Sequence, residues 1–313
     1  MYYPYLRARQ FELISLRELS SENAIQGYVV PILEPVKEAF NNIILASKIF
    51  KDKKLEAYLI VNPLVGEKSG DISSYLEFLL TEEGKVFKPA FHYSGNSSYI
   101  RKAIDDYGLQ DCMLICYSNF SEDSDFRELC SEDIISHIVL FEPHKYRSLD
   151  RFLKGLGKKY VTMNDSFERQ LKNSAFLDIS AHKFTEEHLF YTDEGYAGFC
   201  DFTVLPSEYI DGGSTPRAVV IHLTYQNADQ DNQIWIRHFT SETNDSIANV
   251  QGKFAEAAKK ALDFCEAEGF ENSAIDELKN YYINGKYPGL GTVKKISIKN
   301  HLIIISNYLL IHG

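Results

Sequence analysis

Short apolar segments alternate with segments of helical period through the first half of the chain. Between the apolar segments, nonpolar residues recur every three or four positions, as in "KEAFNNIILASKIFKD" and "SSYIRKAIDDYGL". This alternation predicts parallel strands joined by right-handed helical crossovers, in either a closed α/β barrel or an open doubly wound sheet. The predicted strands span residues 2–7, 28–34, 57–62, 87–93, 112–118, 136–142 and 159–164.

Nearly every predicted strand ends in a polar or ionisable side chain. A barrel brings the carboxyl ends of its strands to one mouth, where enzymes of this fold place their chemistry. Solvated loops explain any single polar strand end, but the whole set favours a TIM-barrel-like α/β fold with a site at the mouth. No glycine-rich nucleotide-binding motif follows these strands, which weakens the open-sheet alternative. The residues at the strand ends are Arg7, Glu34, Asn62, His92, Ser118, Glu142 and Asn164.

After residue 180 the pattern changes to longer strands and glycine-rich turns. The segments "RAVVIHLTYQ" and "QIWIRHFTSE" predict strands, and "NVQGKFAEAAKKALDFCEAEGF" predicts an amphipathic helix that ends at Gly269. We expect one barrel-like domain over residues 1–313, with regular β/α units over 1–180. Residues 181–313 then supply the last barrel strand or strands, an appended sheet and the C-terminal helices.

The charge balance limits the class of partner. The 313 residues include 33 Lys and Arg against 44 Asp and Glu, a formal net charge of -11. This net charge disfavours broad nonspecific binding of nucleic acid by the chain alone. No apolar run reaches the roughly 20 residues of a membrane span, so we expect a cytoplasmic protein without membrane contact.

Five cysteines are scattered along the chain, mostly inside apolar runs such as "CMLICY". Cys112 and Cys116 would share one face of a strand but lie roughly 13 Å apart, too far to bind one metal ion. We expect buried free thiols rather than disulfides. The sequence signals no metal site, and it leaves any cofactor open.

Four residues have the chemistry expected of catalytic groups. Glu34 and Glu142 would form a carboxylate pair at the mouth, or bind a divalent cation together with Asp201. His222 lies in the apolar segment "VVIHLTY" and, if it faced the mouth, would act as a general base or ligate a metal. A histidine in such a strand is otherwise a hydrogen-bonded core residue.

Another group of residues has the chemistry of ligand binding. Three arginines suit bidentate contact with a phosphate or carboxylate, unless they pair with acids of the same chain. The "DGG" segment at 211–213 would either bring backbone amides close to an anion or form a hairpin turn. The predicted ligand-binding residues are Arg7, Arg9, Asn62, His92, Arg237 and His238.

Several segments together resemble the bacterial and phage "beta family" proteins, a poorly characterised group of about this length. They are "MYYPYLRARQFELISLREL", "PILEPVK" and "EEHLFYTDEGYAGFCDF", followed by "IHLTY", "IWIRHF" and "GKF". The resemblance runs along most of the chain and implies a TIM-barrel-like body. It also implies genes in mobile or defence-type neighbourhoods, beside a small nuclease-like partner. It supplies no established catalytic residues.

Three functional hypotheses follow from the residues and the resemblance. The first is a component of a bacterial anti-phage or mobile-element defence system. It would recognise a phage-derived or anionic small-molecule ligand, or a nuclease-like partner protein, through the barrel mouth. The second is a hydrolase that acts on a phosphate-containing or other anionic small molecule, with Glu34 or Glu142 as base. The third is an inert barrel scaffold for protein–protein interaction.

Overall fold

The computed structural model describes residues 1–69, 72–117, 120, 122–212 and 217–313. Its strands are β1 (Tyr5–Leu6), β2 (Ile32–Leu33), β3 (Tyr58–Ile60), β4 (Lys88–His92), β5 (Cys112–Cys116), β6 (Ile135–Phe141), β7 (Lys159–Met163), β8 (Ala181–Thr185), β9 (Gly198–Cys200), β10 (Val220–Asn227) and β11 (Gln233–Thr240). Its helices are α1 (Gln10–Ser21), α2 (Asn41–Lys53), α3 (Ser73–Leu79), α4 (Ser97–Tyr107), α5 (Ser124–Ser131), α6 (Arg147–Lys154), α7 (Phe176–Ile179), α8 (Glu187–Phe190), α9 (Val250–Glu268), α10 (Ser273–Ile283) and α11 (Leu290–His312).

Eight parallel strands form a nearly closed barrel in the order β1-β2-β3-β4-β5-β6-β7-β9. The last strand returns to the beginning of the chain, because Tyr3 N donates a hydrogen bond to Phe199 O at 2.8 Å and Tyr5 N donates to Asp201 O at 2.8 Å. Helices flank the barrel, as right-handed crossovers between parallel strands require. The TIM-barrel-like fold predicted from the alternating pattern is therefore confirmed.

Side chains in the barrel strands alternate between the interior and the surrounding helices. In β3, for example, Tyr58 and Ile60 belong to the interior cluster, whereas Leu59 belongs to the outer one. This is the period of two that strand geometry imposes. The interior is filled by side chains, as in other small barrels: Tyr3, Tyr5, Val30, Ile32, Tyr58, Ile60, Ala90, Met113, Ile115, Val139, Val161, Met163, Cys200 and Phe202.

The second half of the chain adds an antiparallel sheet of strand order β10-β11-β8 beside the barrel. One face carries Tyr225, whose ring contacts Phe264 of α9. The opposite face carries Thr224, whose hydroxyl oxygen lies 3.2 Å from Nδ1 of His301 in α11. The sheet is thus packed between α9 and α11. Helix α9 ends at Gly269, which adopts φ +69° as its left-handed cap, where the sequence predicted the end.

The cysteines and the long C-terminal helix belong to the packed interior. All five cysteines are buried free thiols, as the sequence predicted. Helix α11 is one of the expected C-terminal helices, and it contacts both β10 and α1. Among the described residues, no helix is long and apolar enough to cross a membrane.

Candidate functional site

Four side chains meet inside the carboxyl end of the barrel, and we call them the mouth cluster: Tyr5, Arg7, Glu34 and His92. Glu34 is fully buried. Its Oε2 accepts hydrogen bonds from the Tyr5 hydroxyl at 2.7 Å and from the Arg7 guanidinium, and its Oε1 accepts one from Leu64 N at 2.8 Å. The acid at the end of β2 is therefore the centre of a buried ion pair, and both of its oxygens are engaged.

His92 is the neutral member of the mouth cluster. Its Nε2 lies 2.9 Å from the Tyr5 hydroxyl oxygen and 3.5 Å from Oε1 of Glu34. Burial, and then the charge of Arg7, lower the pKa of His92 to about 3. Because Tyr5 donates its hydrogen to Glu34, it accepts one from Nε2–H of His92. Nδ1 of His92 is then an unprotonated nitrogen, buried and without a hydrogen-bond partner in the part of the chain that the structure describes.

The side chain of Asn62, just beyond β3, makes two hydrogen bonds with the backbone of His92. Its Nδ2 donates to His92 O at 2.8 Å, and its Oδ1 accepts from His92 N at 2.8 Å. This pair of bonds reproduces the exchange that two backbone residues make in a sheet. Asn62 therefore fixes the end of β4, and with it the position of His92.

The mouth above the cluster is filled by the chain itself. The Phe202 ring is buried, 5.1 Å from the Tyr5 ring and 5.6 Å from the Tyr117 ring. The guanidinium carbon of Arg7 lies 5.6 Å from the centre of the Phe202 ring. The barrel axis thus ends in an aromatic plug, and a ligand approaching along it would first meet Phe202.

Residues 202–212, which we call the rim loop, contact Arg7 and Arg9, the two arginines that follow β1. Ser207 O accepts a hydrogen bond from Nη2 of Arg7 at 2.5 Å. Ile210 O accepts one from Nη2 of Arg9 at 2.7 Å, and the Arg9 guanidinium lies over the Tyr209 ring at 4.7 Å. Ser207 also donates from its hydroxyl to Asp165, and Glu208 pairs with Arg169, so Arg7 and Arg9 hold the rim loop together with contacts from residues 165–169.

Beside the rim loop is a cleft of about 420 Å³, which we call the arginine cleft. It opens between the exits of β1 and β2 and contains the first residues of α1. Arg9 is partly exposed there and faces the Asp211 carboxylate at 3.8 Å. Exposed ion pairs of this kind contribute little free energy. The polar residues of the cleft are Arg9, Gln10, Lys37, Asn42 and Asp211.

The structure does not bring the three predicted carboxylates together. Glu142 adopts a left-handed φ of +48° and pairs with Lys145 at the surface. Asp201 follows the inward-facing Cys200, so it points out of the barrel, where it accepts from the Tyr2 hydroxyl at 2.5 Å and from Thr203 N at 2.8 Å. The expected carboxylate pair and shared cation site do not form. Within the described ranges, no group of three or more His, Cys, Asp or Glu side chains is arranged to hold a metal ion.

The predicted site residues of the second sheet also separate. Arg237 and His238 are consecutive in β11 and face opposite sides of the sheet. Arg237 lies over the Phe264 ring at 4.7 Å, on the α9 side. His238 faces its strand partner His222, with 2.7 Å between their Nδ1 atoms. His222 is therefore not part of the mouth cluster, and Arg237 joins neither group.

Two positions from the sequence prediction, Ser118 and Gly213, lie outside the described residues. Sequence reasoning missed Tyr5, although its spacing of two from Arg7 in one strand would have placed both side chains inside the barrel. It also missed Lys294, which reaches the edge of the rim loop from α11. No local pattern signals Lys294, because its neighbours come from distant parts of the chain.

In comparisons with known proteins, no family model and no curated protein sequence matches this chain. The resemblance to the beta family proteins stays a prediction.

Proposed function

We propose that this protein is the recognition component of a bacterial anti-phage or mobile-element defence system, and that it binds an anionic ligand in the arginine cleft. The defence setting rests on the resemblance to the beta family proteins. The ligand class rests on the Arg9 contacts. A cytoplasmic location agrees with five free thiols.

The observation that supports an anionic ligand is that the Arg9 guanidinium makes only weak contacts with the rest of the protein. Its guanidinium donates to one neutral carbonyl, Ile210 O, and faces the exposed Asp211 carboxylate at 3.8 Å. A phosphate or carboxylate that accepts two parallel hydrogen bonds would replace these contacts with a stronger set. Lys37 also lines the cleft, but its Nζ already donates to Oε1 of Glu67 at 2.8 Å, so Arg9 is the cation on which the proposal rests.

Binding there would act on the rim loop. The loop is held through Arg9 at Tyr209 and Ile210 and through Arg7 at Ser207. A ligand that takes over Arg9 removes one attachment of the loop, while the contacts of Ser207 with Arg7 and Asp165 and of Glu208 with Arg169 stay in place. The surface of the loop then differs between the free and the ligand-bound protein. A nuclease-like partner would bind one of these two forms more tightly than the other.

Hydrolysis at the mouth has less support. A carboxylate that acts as a general base needs an oxygen within reach of the proton that it removes. Both oxygens of Glu34 already accept hydrogen bonds, and the residue is fully buried. Glu142 is engaged with Lys145 at the surface. Recognition without chemistry therefore fits these contacts better.

A binding titration tests the ligand class. Inorganic phosphate and nucleoside mono- and triphosphates would be titrated into the protein, into Arg9→Ala, and into Arg151→Ala, which removes an exposed arginine of α6. We expect at least one of these phosphates to bind, and Arg9→Ala to weaken it about tenfold or more, since charge-assisted hydrogen bonds contribute roughly 1.5–3 kcal/mol. Arg151→Ala should bind like the original protein. Equal binding by Arg9→Ala, or no binding of any phosphate, would refute the proposed site.

The defence role needs a separate test in cells. Phage plating on a host that carries the gene in its native neighbourhood would be compared with the Arg9→Ala version. Loss of protection with unchanged protein level supports recognition through the arginine cleft. Full protection by Arg9→Ala, together with unchanged capture of a partner protein, would favour the scaffold hypothesis instead.

A further inference from the structure

A second pocket lies on the other side of the rim loop, and we call it the lateral pocket. It has a volume of about 280 Å³ and lies between the rim loop, residues 167–176, β10 and α11. Its lining includes the rings of Phe167 and Phe176 and the side chain of Val293. Its polar groups include His222 and Lys294. Arg169, which pairs with Glu208, also lines the pocket. A pocket that combines apolar walls with convergent polar groups is the usual form of a small-molecule site.

Lys294 is a largely buried amine without a direct counter-ion. No carboxylate pairs with it, and no acceptor receives a hydrogen bond from its Nζ, among the residues that the structure describes. Burial lowers the pKa of Lys294, the charge of Glu12 opposes that shift, and Arg9 adds to it. A buried cation in this state gains free energy from an anion that enters the pocket.

His222 presents an acceptor nitrogen at the same pocket. Nδ1 of His182 lies 2.9 Å from Lys183 O, and a carbonyl can only accept, so this nitrogen carries a hydrogen. In the tautomer that carries its hydrogen at Nδ1, His182 accepts at Nε2 from Nε2–H of His238, 3.1 Å away. His238 in turn accepts at Nδ1 from Nδ1–H of His222 at 2.7 Å. Nε2 of His222 is left as an unprotonated acceptor.

Two members of this histidine chain (His182, His238 and His222) are neutral because of their surroundings. Burial lowers the pKa of His238 to about 3 and lowers the pKa of His222 well below its usual value. The charges of His238 and Lys294 act in the same direction on His222. The chain ends at His182, which is 18% exposed. His222 is thus connected through His238 to an imidazole near the surface.

We propose that the lateral pocket binds a small aromatic carboxylate that carries a hydroxyl or amino group on its ring. Lys294 pairs with the carboxylate, Nε2 of His222 accepts a hydrogen bond from the ring substituent, and the ring packs against Phe167 and Phe176. Each part of the ligand matches one feature of the pocket: the amine of Lys294, which no carboxylate contacts directly, the acceptor nitrogen of His222, and the two phenylalanine rings. This site is separate from the arginine cleft and does not depend on the proposed function.

Isothermal titration with defined probes tests the proposal. The probes are 2-, 3- and 4-hydroxybenzoate, 3- and 4-aminobenzoate, benzoate and 4-hydroxybenzyl alcohol. We expect one substituted benzoate to bind with one-to-one stoichiometry, several-fold more tightly than benzoate, and the neutral alcohol to bind at least tenfold more weakly. If none of the hydroxy- or aminobenzoates binds, the proposal is overturned.

Matched variants locate the binding. Lys294→Met should weaken the best probe at least tenfold, Lys294→Arg should retain most of the affinity, and Lys102→Met, which removes an exposed charge on α4, should have no effect. The imidazole signals of His182 should shift on titration in the original protein, as seen by NMR. Binding that survives Lys294→Met, or that leaves the His182 signals unmoved, contradicts the assignment. Circular dichroism and the denaturation midpoint confirm that each variant is folded.

Discussion

The phenol of Tyr5 donates a hydrogen bond to the carboxylate of Glu34, 2.7 Å away, at the carboxyl end of the barrel interior. Both residues are buried, so no water replaces this contact when it is lost. The same hydroxyl also accepts from His92. One oxygen atom therefore connects the ends of β1, β2 and β4 through polar contacts inside the barrel.

Tyr5→Phe should lower the free energy of unfolding by about 1–3 kcal/mol, because it leaves a buried acceptor and a buried donor each short of one partner. Chemical denaturation measures this directly. Tyr107→Phe is the control, since that hydroxyl makes no hydrogen bond in the described part of the chain and its loss should cost less than about 0.5 kcal/mol. Equal effects of the two substitutions would show that the Tyr5 hydroxyl is not a structural link.

His137 should make stability depend on pH. Burial lowers its pKa in the folded protein to about 3, whereas an unfolded histidine has a pKa of about 6.5. Between these values the unfolded chain binds a proton that the folded chain does not. The contribution of neutral His137 to the free energy of unfolding is therefore complete above about pH 6.5. It is lost as the pH falls toward 3, by up to about 1.4 kcal/mol per pH unit.

Denaturation curves at several pH values would test this against His137→Gln. The variant should show a shallower loss of stability between pH 6.5 and 4.5. Glu187, whose pKa burial raises to about 7, acts in the opposite direction but is present in both proteins and cancels in the comparison. Parallel curves for the two proteins would contradict the buried neutral state of His137.

The sequence predicted the barrel and part of the mouth for a physical reason. Arg7, Glu34, Asn62 and His92 share the inward side of neighbouring parallel strands, and the period of two brings them to one end. The prediction that Asp201 joins the other acids at the mouth was wrong by the same rule, because Asp201 lies one residue beyond the inward-facing Cys200 and points out of the barrel. That parity could be read from the sequence only once the register of β9 was known.

The positions of His222, Arg237 and Lys294 could not be predicted in this way. They belong to β10, β11 and α11, whose placement depends on packing between segments far apart in the chain. Hydrophobic period identifies such a strand or helix but does not say which face meets the barrel. The lateral pocket exists only through this long-range packing.

Arg9→Ala should loosen the rim loop. The substitution removes the hydrogen bond to Ile210 O and the contact with the Tyr209 ring, together about 1 kcal/mol at a partly exposed site. Hydrogen exchange of the amides in residues 203–212 should become several-fold faster, while exchange in β5 and β6 stays the same. Arg151→Ala provides the control, and unchanged exchange in the loop would mean that other contacts hold it.

Asp201 should prove structural rather than catalytic. Its Oδ1 accepts from the Tyr2 hydroxyl and from Thr203 N, and the carboxylate lies 3.7 Å from the fully buried His301 of α11. Asp201→Ala leaves Thr203 N without its acceptor and leaves the Tyr2 hydroxyl with only its contact to Nε2 of His301 at 2.9 Å, and it should lower stability by about 1–3 kcal/mol. Asp201→Asn keeps an amide oxygen for both donors and should cost less.

A double-mutant cycle with Tyr2→Phe distinguishes this role from a functional one. Because the two side chains share a buried hydrogen bond, their combined effect should fall short of the sum by about 0.5–3 kcal/mol. Position 201 faces away from both the arginine cleft and the barrel interior, so Asp201→Asn should leave phosphate binding unchanged. If Asp201→Asn instead abolishes binding without a change in stability, the outward-facing carboxylate contributes to function from outside the barrel, and the structural role assigned to it is wrong.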